Sequence, residues 1–204
     1  METALDSRAF ANVISGEELA DYQFDVHLIA CKKDFVHLST IKRALDALEK
    51  GTLERFVDIA TIETSIDNAE VILKACETAC MRVSGSTISL YERGFGELRN
   101  RKMLCSSRCD RIPTLTPHAF IDDTGKVVSV EEQTHRIVRS EQYPVPCSSA
   151  SFYALVHAPV TGKQDRQEAW QEAYAALARM RPYWQQTPPR LAETLWSYIK
   201  KYAE

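Results

Sequence analysis

The spacing of apolar positions changes period several times along the chain. From Thr40 to Lys50, Ile41, Ala44, Leu45 and Leu48 recur at helical spacing, Thr40 stands where a cap is needed, and Gly51 stands where a helix can end. The stretch from Leu53 to Ile66 suits a second helix or a strand, and Asp67 with Glu70 forms a capping-box-like start ahead of Val71, Ile72 and Leu73. Between Pro113 and Pro159 the texture turns to short β-prone runs. Two of them, 118–121 and 126–130, flank Asp122-Asp123-Thr124-Gly125, which is a hairpin signal. Residues 136–138 and 151–156 are further runs of this kind, the second also suiting the start of a helix. Trp170, Ala173, Tyr174, Leu177 and Met180 then form one apolar stripe, and Leu191, Leu195, Trp196, Ile199 and Tyr202 another. Two amphipathic helices are expected there, Pro182 ending the first and Thr187-Pro188 opening the second.

These elements predict an α+β fold: a small β-sheet region, an inserted zinc-ribbon-like module and C-terminal amphipathic helices. The expected organisation is a mainly helical, acidic N-terminal region over 1–75, the basic zinc-ribbon-like module over 76–112, a β-rich region over 113–160 and a helical pair over 161–204. At 204 residues, 45% hydrophobic and 26% charged, the chain can bury a real core. The start Met1-Glu2-Thr3-Ala4-Leu5-Asp6 lacks the basic and apolar regions of a signal peptide, and no run is long and apolar enough to span a bilayer. The expectation is a cytoplasmic protein without membrane contact. In that compartment six cysteines stay reduced, and close pairs of them point to metal or redox chemistry.

The sharpest local signal is a repeated pattern of basic residue, Cys-x3-Cys, any residue, Arg and a β-branched residue. It occurs at Lys74 to Val83, with Cys76 and Cys80, and again at Lys102 to Ile112, with Cys105 and Cys109. Zinc favours four soft ligands in a tetrahedron, and two short loops each giving two thiolates supply that set, so Cys76, Cys80, Cys105 and Cys109 are the candidate zinc ligands. The competing reading is packing. If 69–82 is a helix, Ile72, Leu73, Cys76 and Cys80 share a face and the cysteines act as small apolar residues. The second pair has poor helical patterning, so that alternative covers only the first.

Charge is unevenly distributed. Between Arg82 and Arg111 stand seven basic residues (Arg82, Arg93, Arg99, Arg101, Lys102, Arg108, Arg111) and three acidic ones (Glu92, Glu97, Asp110), a net +4 in a chain of net −3. Guanidinium groups grip phosphates, and Tyr91 or Phe95 can stack on an unpaired base. Tyr91, Arg93, Phe95, Arg99, Arg101, Lys102, Arg108 and Arg111 are therefore the candidate nucleic-acid-binding residues. The bland alternative is a solvated basic loop. In its size and its constellation Cys76, Cys80, Cys105 and Cys109, the chain resembles the large-subunit-like proteins of type IV CRISPR effector complexes. That resemblance implies a non-catalytic, zinc-containing subunit at the crRNA 5′ end, helping to recognise the short motif beside the target. It implies RNA, duplex DNA and other protein subunits as partners.

Two other classes compete with this one. A zinc-stabilised adaptor would bind only proteins. A thiol enzyme would use Cys147 as nucleophile with His135 or His157 as base, because a thiolate needs a nearby proton acceptor. Single histidines match no metalloprotease spacing, and Gly94-Phe95-Gly96 lacks the third glycine of a phosphate-binding loop.

Overall fold

The computed structural model describes residues 8–52, 56–94, 101–143 and 145–203. The fold is α+β. In chain order the elements are α1 (Ala9–Ser15), β1 (Asp25–Cys31), α2 (Lys33–Glu49), α3 (Ile59–Cys80), β2 (Thr87–Arg93), β3 (Arg101–Ile121), β4 (Val127–Glu141), α4 (Ser149–His157), α5 (Lys163–Met180) and α6 (Pro189–Tyr202), with short 3-10 turns at Glu17–Leu19 and Arg181–Gln186. The strands form one mixed sheet in sequential order, β1 parallel to β2 and the rest antiparallel. Parallel neighbours need a crossover, which α2 and α3 supply.

Alternation along the strands gives the sheet two unlike faces. Leu28, Ala30, Ile88, Leu90, Cys105 and Cys109 are each 3% exposed or less and form a core with Ala69, Leu73 and Cys80 of α3 and Phe152 and Val156 of α4. A second core joins α2 to the C-terminal helices through Leu38, Ile41, Leu45, Ala173, Met180, Leu191 and Leu195. Each fully buried aliphatic side chain there contributes about 2 kcal/mol of transfer free energy. Ala11 and Ile14 of α1 pack on Ile72, Cys76 and Ala79 of α3.

The two C-terminal helices and the hairpin stand where their patterns predicted them, but Tyr174 (57%) and Trp196 (48%) are exposed rather than part of the buried stripes, and the first residue of α6 is Pro189 with Pro188 rather than Thr187 as its cap. Residues 151–156 are helical, in α4. Asp67 is not a helix start: a single 22-residue helix runs through it. The expected zinc-ribbon-like module over 76–112 is not evident, because the described part of this segment is the last turn of α3, a turn, β2 and more than half of β3. The expected boundaries at 76 and 113 thus fall inside continuous elements. β3 and β4 continue well past the end of β2, whose last partner toward the hairpin is Arg108, so roughly residues 110–138 project as a two-stranded arm. Among the described residues, no helix is long and apolar enough to cross a membrane.

Candidate nucleic-acid interface

Directly opposed residues on neighbouring strands share a face, so the register defines what the second face of the sheet presents. Its rows, read across β1, β2 and β3, are Cys31-Arg93-Arg101, Ile29-Tyr91-Met103, His27-Ser89-Ser106 and Asp25-Thr87-Arg108. The register slip between Leu90 and Tyr91 is what brings Met103 and Arg101, rather than Lys102, onto this face. His27, Arg101 and Arg108 are exposed, as are Ile29 (38%) and Met103 (41%), in contrast to the buried face behind them.

The middle of this face is an apolar strip three strands wide with an aromatic ring at its centre. The His27 and Tyr91 rings lie 5.9 Å apart, tilted by 38°. Guanidinium groups flank the strip: Arg93 and Arg101 at one end, Arg108 at the other, where it also meets Asp110 at 2.9 Å. Arg93 is half-buried, and its Nε has no hydrogen-bond partner among the described residues. Thr87 Oγ1 donates to Asp25, and this bond is the leading reason that the carboxyl of Asp25 sits below its ordinary pKa.

Four of the eight candidate nucleic-acid residues therefore converge: Tyr91, Arg93, Arg101 and Arg108. Lys102 and Arg111 project from the opposite face, while Phe95 and Arg99 lie outside the described residues. Sequence reasoning missed His27, Ile29 and Met103. The alternation of Val26, Leu28 and Ala30 with Asp25, His27 and Ile29 was the signal that could have found the first two.

The cysteines are arranged differently from the zinc-ribbon expectation. Cys76 and Cys80 lie one turn apart on α3, about 6 Å along the axis. Cys105 and Cys109 lie on one face of β3 with no bulge between them, about 13 Å apart. Cys105 forms a disulfide with Cys147, Cα to Cα 5.7 Å, so these two cysteines are not the free thiols expected. Cys80 Sγ donates weakly to the Thr87 carbonyl at 3.9 Å, and Cys109 Sγ lies 3.6 Å from Met81 Sδ. Burial pushes the Cys76 thiol up to about 11 and, ahead of the influence of Cys109 and Cys76, the Cys80 thiol up to about 12. Cys105 is held in the disulfide, and no group of three or more metal-ligating side chains occurs among the described residues.

The thiol-enzyme residues are also apart. Cys147 is fully buried and disulfide-bonded, His135 sits on the arm opposite Pro113, and the ring of His157 lies 4.1 Å from that of Tyr153. Comparison of the chain with protein-family models, with curated proteins and with solved structures found no match.

Proposed function

We propose that the chain is a non-catalytic nucleic-acid-binding protein that holds a single strand, RNA in the first instance, on the open face of its sheet. The observation that carries this reading is the Ile29-Tyr91-Met103 strip, with His27 beside it and Arg93, Arg101 and Arg108 around it. Sheets of this kind bind single strands by stacking bases on exposed rings while guanidinium groups take the phosphates. Arg101 and Arg108, both exposed on this face, are suited to phosphate oxygens. A role as a subunit of a ribonucleoprotein assembly, as the CRISPR resemblance implies, is consistent with this surface and requires no catalytic group.

The test compares faces. Single-stranded RNA binding is measured against salt for the wild type, Tyr91→Ala, Arg101→Ala/Arg108→Ala and Lys102→Ala/Arg111→Ala. Tyr91→Ala should weaken binding by about 1–3 kcal/mol. The pair on the open face should lower affinity and flatten the salt slope by nearly one unit per lost phosphate contact, while the pair on the other face leaves both unchanged. Equal effects of the two arginine-containing pairs, or none from Tyr91→Ala, would overturn the reading.

A further inference from the structure

We infer that the chain forms a twofold dimer by pairing the outer edge of β4 with the same edge of a second copy, giving a continuous eight-stranded sheet. β4 is the last strand of the sheet, fifteen residues long, without proline or glycine, and its outer edge pairs with nothing among the described residues. Long bare edges are ready templates for another strand, and proteins normally blunt them. The other free edge of the arm is blunted. Backbone groups of Cys109 bond toward residues 85 and 86, away from β4, so odd-numbered positions of β3 face the arm's outer side. Pro113 and Pro117 fall on that parity and place two missing N–H groups there. Only the β4 side of the arm is left able to extend the ladder.

The arm also needs a neighbour. A two-stranded ribbon is marginal alone, and this one exposes Leu115 (62%), Phe120 (51%), Ile121 (69%), Val127 (65%) and Val130 (47%). Its chemistry argues for a second copy in one register. Gln142 N bonds to Ser106 O, so even-numbered positions of β4 point to β3 and odd-numbered ones present their backbone groups outward. A twofold axis perpendicular to the sheet keeps faces together and so joins residues of equal parity. Centred on Thr134, that pairing sets Glu132 against Arg136 of the second copy and Val130 against its Val138, each twice by symmetry. Opposite charges and branched residues directly across a ladder are the pairs that stabilise a sheet. A twofold contact is self-complementary, as this set of pairs is.

The experiment is sedimentation of the full chain at tens of micromolar, together with non-reducing electrophoresis. Wild type should sediment at twice its 23.1 kDa. Gln133→Pro removes an outward N–H that β3 does not use, so it should give monomers with an unchanged circular dichroism spectrum. Glu132→Arg and Arg136→Glu should each weaken the dimer at least tenfold and, combined, restore it. Thr134→Cys places two cysteines at a non-hydrogen-bonded pair with Cα atoms about 4.5 Å apart, within disulfide reach, and should yield a covalent dimer on mild oxidation that wild type does not. A monomeric wild type, a dimer indifferent to Gln133→Pro, or a charge swap that fails to rescue would overturn the inference.

Discussion

Replacing Glu77 by glutamine should destabilise the fold by about 3 kcal/mol, a large effect for a change that keeps the side chain's shape. Glu77 lies between Cys76 and Cys80 on α3, and its carboxylate serves two other elements. Oε1 accepts from Arg139 Nη1 of β4 at 3.2 Å, while Oε2 accepts from Ser149 N at 3.1 Å and Ser149 Oγ at 2.6 Å, where α4 begins. The side chains of Glu77 and Arg139 are 21% and 17% exposed, so water replaces little of what is lost. A glutamine can accept on only one of these sides and turns a donor toward the other. Bonds to charged partners are worth about 1.5–3 kcal/mol, and the lower figure applied to two of them gives the estimate. Arg139 keeps Glu141 at 3.2 Å and Ser107 Oγ at 3.0 Å, which holds the loss below that of an orphaned charge. For a domain of this length the melting temperature should fall by about 6–12 °C, read by far-UV circular dichroism, with urea unfolding as the second measure. Ser149→Ala should cost about 1 kcal/mol alone, and combining it with Glu77→Gln should give less than the sum, because they share the bonds. A loss below about 1 kcal/mol for Glu77→Gln would show that the carboxylate does not join α3, α4 and β4 as described.

Three further outcomes are expected. Leu195→Ala, at a fully buried position between α6 and the α2 and α5 core, should cost about 2–5 kcal/mol in chemical denaturation. His37 is 2% exposed, its Nδ1 lies 2.5 Å from Tyr198 Oη, its Nε2 has no partner among the described residues, and burial lowers its pKa below the ordinary 6.5. The unfolded chain therefore takes up this proton first, so stability should be complete above about pH 6.5 and fall as pH drops through the folded value, and His37→Gln should flatten melting temperature against pH between 7 and 5. The thiols of Cys76 and Cys80 should resist alkylation at pH 8 in the native chain and react on unfolding, with stability falling from about pH 9 upward as the unfolded thiols ionise first; rapid native labelling would contradict their burial.

The legible parts of the fold are those announced by a purely local signal, an apolar period or a turn signature. The two C-terminal stripes and the hairpin around Asp122 to Gly125 follow directly from apolar period and turn chemistry, since Asp122 Oδ1 accepts from Thr124 N and Lys126 N, and Gly125 takes φ +79. α3 was harder to read as one helix because its first half is rich in Thr and Ser. Those hydroxyls satisfy themselves on carbonyls four residues back, as Thr64 does on Ala60 and Ser65 on Thr61, and so do not break it. The cysteine motif misled for a geometric reason. Cys-x3-Cys places both sulfurs on one face in a helix and in a strand alike, so the spacing reads identically in both, yet the separation doubles from about 6 to about 13 Å. The basic cluster was legible as a charge excess, but the division of its residues between two faces depends on the irregularity beside Leu90, which no local pattern announces.

The sheet order separates early from late events in folding. β3 and β4 are joined by a short turn, and a hairpin of this kind closes in microseconds, whereas the β1–β2 ladder joins Asp25 to Thr87 across 62 positions. During synthesis β1 must wait, unpaired, while α2 and α3 emerge, and its neighbour on the finished sheet arrives only with β2. The hairpin and the α5–α6 pair can form from local contacts, so the parallel ladder should be the slow step, and substitutions at Leu28 or Ile88 should slow refolding more than substitutions at the arm.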